Sequence, residues 1–242
     1  MTVPHVGDWR LPSPACFAVI GQSSTGKSTL IAKLIEDASV WQKRPNNVVY
    51  SGPVVKRTSK YIEDLEANCA RQGMRFIYHE DFADVKAVQS LVGEKVPVIL
   101  ILDDVQVWSK HYKVDQECSK MLTAASHHDN ITVFFVIHNP YHPSFGDVNN
   151  NVRGRFLMYQ NSDWNKYQIM SNRMYGRGGG DFLKYCLTRA MEEYNLNYVY
   201  INVDPRAKYP TRYNCYTGIL KMEREKHCNS PIVFDLFNYD KK

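Results

Sequence analysis

The sequence predicts an α/β fold with a mostly parallel central sheet flanked by helices, and three stretches carry that expectation. The first is an apolar run at 16–20 that enters a glycine- and serine-rich turn and then places Leu30, Ile31, Leu34 and Ile35 at helical spacing. The second is the apolar run at 96–102, which ends in Asp103 and Asp104. The third, at 131–137, ends in His138, Asn139 and Pro140. Apolar runs without alternation mark strands buried on both faces, as a parallel sheet covered by helices requires.

Within the first stretch Gly21, Gly26, Lys27 and Ser28 complete the pattern G-x-x-x-x-G-K-[ST] of a phosphate-binding loop. Gly21, Gln22, Ser23, Ser24, Thr25, Gly26, Lys27, Ser28 and Thr29 are therefore the candidate cradle for the phosphates of ATP. Glycine lets the backbone amides approach the ligand, and the following helix adds its unpaired N–H groups and positive dipole end. Lys27 is expected to reach the β- and γ-phosphates and Ser28 to ligate Mg²⁺. A Gly/Ser turn matching by chance is the alternative, but the strand before the loop and the helix after it supply the context the motif needs.

The strand that ends in Asp103-Asp104 has the form of a Walker B strand. Asp103 is expected to hold Mg²⁺, and Asp104 to activate or orient the attacking water. Acids often close strands, so this signal gains meaning from its pairing with the loop. The expected fold is a RecA-like P-loop NTPase with an additional strand between these two (the ASCE division). In that arrangement the run at 131–137 lies between the loop strand and the acid strand, so His138 or Asn139 would face the γ-phosphate as a sensor. The bland reading of Asn139 is a loop cap before a proline.

The remaining elements are assigned in order. Pro4, Pro12 and Pro14 argue for an extended lead-in at 1–15, and the first helix is expected to end within 41–47, where Pro45 cannot continue it. A strand at 48–51 closes at Gly52-Pro53. Residues 58–70 read as a helix capped by Thr58 or Ser59, with Tyr61, Ile62, Leu65 and Cys69 on one face. A strand at 76–78, a helix at 84–92 and a helix at 114–126 follow. His127 and His128 are neighbours that point in different directions and lack partner spacing, so no metal site is expected there. Beyond them lie a strand at 155–160, a helix at 169–175, a flexible basic loop at 173–180, a helix at 182–194 and a strand at 198–203. The expected organisation is one ATPase domain at 16–220, with the lead-in before it and a tail at 221–242.

A chain of 242 residues can bury a full core in one domain, and no apolar run is long enough to cross a bilayer. The start lacks a basic-then-apolar leader, and the six cysteines show no C-x-x-C, so reduced thiols in an intracellular protein are expected. Net charge is uneven: residues 1–152 carry 15 Lys/Arg against 16 Asp/Glu, whereas 153–226 carry 13 against 7. An excess confined to the later third suits a polyanion-facing surface.

The texture of three later stretches resembles the packaging ATPases of the FtsK/HerA superfamily found in polintons, virophages, adintovirus-like elements and poxviruses. They are the acid strand at 99–104, the turn and strand at 126–133 with its Ser126-His127-His128-Asp129-Asn130, and the region from His138 to Asp163. Where that family has Gln-Asn at the sensor strand tip this chain has His138-Asn139, and where it tends to have Arg-Asp this chain has Ser162-Asp163. Arg173-Met174-Tyr175, and 198–204 with Arg212, look like its later blocks. The resemblance implies a homo-oligomeric ring that drives double-stranded DNA into a capsid, with capsid proteins as further partners, at the assembly site in the host cell or in the virion. It also implies an arginine given to the neighbour's γ-phosphate, for which Arg153, Arg155 and Arg173 are the candidates. A small-molecule kinase and a non-hydrolysing ATP-dependent assembly module are the rival readings; the kinase should show an arginine-rich lid, and no such lid is visible.

Overall fold

The computed structural model describes residues 10–108, 114–125, 128–141, 148, 151–160, 164–203, 215–219 and 232–234. Among the described residues nine strands form one sheet in the order β3-β2-β4-β5-β1-β6-β7-β8-β9. They are β1 (Cys16–Ile20), β2 (Asn47–Ser51), β3 (Arg75–His79), β4 (Val98–Leu102), β5 (Ile131–Ile137), β6 (Gly154–Met158), β7 (Tyr198–Val203), β8 (Cys215–Ile219) and β9 (Ile232–Phe234). The pairings from β3 through β6 are parallel, and those of β6–β7, β7–β8 and β8–β9 antiparallel.

The sensor strand separates the loop strand from the acid strand, as the RecA-like expectation requires: β5 pairs β1 on one side and β4 on the other. In register, Ile20 faces Ile137 and Leu102 faces Phe135, so the three strands finish at one edge. The side-chain period of two sends Cys16, Ala18 and Ile20 to one face of the sheet and Phe17 and Val19 to the other. The first face packs under α3 (Val85–Val92), α4 (Val105–Trp108), α5 (Val114–Lys120), α6 (Trp164–Tyr175) and α7 (Gly179–Tyr194), and the second under α1 (Lys27–Glu36) and α2 (Lys60–Arg71). Phe134 sits at the centre of the second face, stacked on Phe17 with ring centroids 5.2 Å apart and met edge-on by Trp41. Four cysteines, Cys16, Cys69, Cys118 and Cys186, are buried free thiols.

Several boundaries differ from those read in the sequence, each for a local reason. The first helix stops at Glu36, because the Asp37 side chain accepts from the Ser39 amide and starts a separate short turn at Ala38–Val40. The acid strand begins at Val98, after Pro97, which has no N–H to give to a ladder. The loop expected at 173–180 is largely helical: Arg173, Met174 and Tyr175 end α6, Tyr175 is buried, and Gly179 and Gly180 are buried at the start of α7. Only Gly176, Arg177 and Gly178 remain as the turn between the two helices. The segment left unassigned after Val203 contains β8 and β9, and Phe234 reaches the core. Ser126, His127, Ser162, Asp163 and Arg212 lie outside the described residues, as do 1–9 and most of 204–242.

Candidate nucleotide site

The loop after β1 hangs from its neighbours at several points. The Gly21 amide donates to the Ile137 carbonyl at the end of β5 (3.1 Å), and a Cβ at Gly21 would lie 2.7 Å from Met158 Cβ and Thr25 Oγ1. Gly26 caps α1 at φ 89°, in the left-handed region that a side chain disfavours. Asn197, just before β7, donates its amide to the Thr25 carbonyl (2.8 Å), and the buried Tyr167 hydroxyl lies 2.9 Å from both the Ile20 and Met158 carbonyls. The loop is thus braced from the antiparallel side of the sheet as well as from β5. Ser28 and Thr29 stand in the first turn of α1, where backbone N–H groups have no partner within the helix.

Lys27 is buried, and its ammonium donates to the Gly21 carbonyl (2.8 Å), the Gln22 carbonyl (2.6 Å) and His138 Nδ1 (3.2 Å). Burial pulls this ammonium down to about 8, with Asp103 and Asp104 acting against the shift. Because lysine can only donate, His138 Nδ1 must accept, which places the ring proton on Nε2. That N–H meets Asp104 Oδ1 at 2.7 Å. One imidazole therefore joins the phosphate-loop lysine to the second acid of the Walker B pair.

Asp103 and Asp104 follow β4, with the Asp103 amide donating to Ser51 at the end of β2. Asp103 is 3 % exposed and accepts from the Tyr50 hydroxyl and from Lys56, the latter at 2.6 Å. Lys56 also pairs with Asp104 Oδ2 at 2.6 Å. Asp104 has φ 52°, and its carboxyl is held well below the usual carboxylate range by the His138 hydrogen bond first, then by Lys56, against the effect of burial. Burial alone would lower Lys56, but the two carboxylates outweigh it and hold the ammonium above its ordinary value. Tyr50 is pushed far up, by burial and then by Asp103. Among the described residues no three His, Cys, Asp or Glu side chains gather in a way that could hold a metal by themselves. Mg²⁺ suits such a site, since it is commonly bound by one or two carboxylates together with substrate phosphates. The two carboxylates face one cation here, the Lys56 ammonium, with which a divalent ion would compete.

The geometry brings Lys27, Asp103, Asp104 and His138 together and leaves other candidates elsewhere. The Asn139 side chain turns to its own loop and accepts from the Tyr141 amide (3.1 Å), so the strand-tip contact to the site falls on His138. Arg155 is buried within β6 opposite Ala18, and Arg153 donates its amide to Cys16 at the start of β1, so both sit away from the edge that carries the loop. Arg173 is exposed on α6 and within electrostatic reach of Tyr141, just past the sensor strand. Lys56, Tyr50, Asn197 and Tyr167 were not singled out from the sequence. A signal existed for Lys56 alone: the strand beside the acid strand must deliver its first following residues to the same edge.

Sheet order, loop and acid pair define a RecA-like P-loop NTPase fold. The sequence matches no protein-family model and no curated protein. Among solved structures the chain is similar to B204, the DNA-packaging ATPase of Sulfolobus turreted icosahedral virus, at 15 % identity and a TM-score of 0.48, covering 81 % of this chain and 95 % of that one. It is also similar to the genome-packaging NTPase B204 of Sulfolobus turreted icosahedral virus 2 in complex with AMP, at 12 % identity and a TM-score of 0.47, covering 78 % and 94 %. The cytoplasmic domain of EssC matches at 16 % identity and a TM-score of 0.40, over 61 % of this chain and 31 % of that one. These likenesses concern the fold. No helix among the described residues is long and apolar enough to cross a membrane.

Proposed function

We propose that the chain is an ATP-hydrolysing motor that works as a homo-oligomeric ring and moves double-stranded DNA, packaging a viral genome into a capsid. The observation that carries the catalytic part is the Lys27–His138–Asp104 connection, which couples the group that would hold the phosphates to the group that would face the water. Lys27 and the α1 N-terminus bind the β- and γ-phosphates. Ser28 and Asp103 hold Mg²⁺, which supplies neutralisation of charge on the phosphoryl oxygens. Asp104, kept ionised well below its usual range, is a weak proton acceptor and serves chiefly to orient the water. His138 holds Asp104 in place and senses the γ-phosphate through Lys27.

The DNA and ring parts rest on the basic excess after residue 152 and on the placement of Arg173, Arg177 and Lys184, exposed on α6, the following turn and α7. Arg173 is the candidate for the arginine given to the next subunit, an effect worth about 10³–10⁵ in rate in related phosphoryl-transfer systems. The test is the ATPase rate per subunit against protein concentration, with and without duplex DNA. The expected rate climbs with concentration and with DNA, Lys27→Ala abolishes it, and Asp104→Asn binds ATP but stalls. A rate per subunit that ignores both concentration and DNA overturns the motor reading, and turnover that requires a nucleoside acceptor points to a kinase.

A further inference from the structure

The short turn Val54–Lys56 after β2 places a cation where the Walker B acids need one. Lys56 Nζ lies 2.6 Å from Asp103 Oδ2 and 2.6 Å from Asp104 Oδ2. The same Asp103 Oδ2 accepts from Tyr50, so the two lone-pair directions of that oxygen are both taken. A divalent ion that uses this oxygen must displace one of its two donors, and Lys56, whose side chain is 32 % exposed while Tyr50 is buried, is the one free to leave. Val54 is 59 % and Val55 84 % exposed, but the turn is anchored on both sides: the Tyr78 hydroxyl donates to the Pro53 carbonyl (2.7 Å), the Arg57 guanidinium lies over the Tyr78 ring, and the Ser59 carbonyl accepts from Ile62 and Glu63 of α2, so the part free to move is the Lys56 side chain.

We propose that Lys56 is a positioning residue that acts as a displaceable counter-cation: its ammonium bridges Asp103 and Asp104, and its side chain swings away to yield Asp103 to a divalent ion. Two like carboxylates side by side would otherwise repel, and losing the bridge without a replacement would leave a buried charge unpaired. The exchange of one cation for another keeps a positive charge between the two carboxylates throughout. This rests on the reading of Asp103 as a metal-binding carboxylate.

The experiment is a Mn²⁺ titration of the full chain at saturating ADP, followed by the electron paramagnetic resonance signal of free Mn²⁺. Lys56→Met should bind Mn²⁺ at least about tenfold more tightly than wild type, since a competing charge a few ångströms away is gone, and Lys56→Arg should stay near wild type. Equal or weaker binding by Lys56→Met overturns the proposal. Asp103→Asn should weaken Mn²⁺ binding in either background; if it has no effect, the metal assignment itself fails, whereas an effect of Asp103→Asn without tightening by Lys56→Met removes the counter-cation alone.

Discussion

Replacing His138 by alanine tests the link on which the catalytic reading turns. The imidazole makes two hydrogen bonds to charged partners, 3.2 Å to Lys27 and 2.7 Å to Asp104. Bonds of this kind contribute about 1.5–3 kcal/mol each, the longer one at the lower end. Only the share that strengthens as the reaction proceeds lowers kcat, and half of their combined ~4–5 kcal/mol is about 2–2.5 kcal/mol. At ~1.4 kcal/mol per tenfold, kcat should fall about 30- to 60-fold, with a smaller change in KM. His138→Gln should recover most of the loss, because an amide offers an acceptor and a donor across one carbon as the imidazole does. The assay is steady-state phosphate release at saturating Mg·ATP, with Asn139→Ala alongside, which should cost less than about threefold because its oxygen serves only the local turn. A His138→Ala enzyme within about twofold of wild type, or an Asn139→Ala enzyme the more damaged of the two, would refute the assignment.

The other expectations concern binding and stability. Lys27 loses its proton above about 8 in the free protein, while bound phosphate favours the charged form; affinity for metal-free ADP should therefore be flat below that pH and fall about tenfold per unit above it, and a flat profile to pH 10 would show that the ammonium is not a phosphate contact. Gly26→Ala forces a side chain into the left-handed region at the helix cap and should lower stability by about 1–2 kcal/mol in urea unfolding while weakening ADP binding in titration calorimetry; no change in either would show the cap to be unstrained. Asn197→Ala removes the brace on the Thr25 carbonyl; unfolding free energy should drop by about 0.5–1.5 kcal/mol with a matching rise in the ADP dissociation constant, and full retention of both would show the brace to be idle. Phe134→Ala, at the centre of a fully buried aromatic group, should cost about 3–5 kcal/mol by urea unfolding.

The loop, the acid strand and the sheet order were legible because each leaves a mark along the chain. A phosphate loop is local, and its glycines and lysine act on neighbours in sequence. Unbroken apolar runs at β1, β4 and β5 identify strands buried on both faces, as the structure has them. What the pattern could not give was the exchange of a loop for helix at 173–180. Three glycines in a row look like a flexible linker, yet two of them are buried where α7 packs on α6, a demand that comes from the partner helix and not from the local sequence.

The choice between the two strand-tip residues is of a different kind. Strand order predicts only which edge a residue reaches, and the resemblance, with its Gln-Asn tip, favours Asn139 as the sensor over the substituted His138. Side chains at successive positions leave a strand in opposite directions, and one of the two had to turn away. Pro140 then decides which: with no N–H at 140, the first amide past Asn139 that its side chain can cap is that of Tyr141, and the bond is made. His138 is left facing Lys27 and Asp104, with one nitrogen to accept and one to donate. A glutamine has the same two capacities. His138 thus offers the acceptor and the donor that the glutamine at this strand tip would offer in the family the sequence resembles, which is why His138→Gln is the informative replacement.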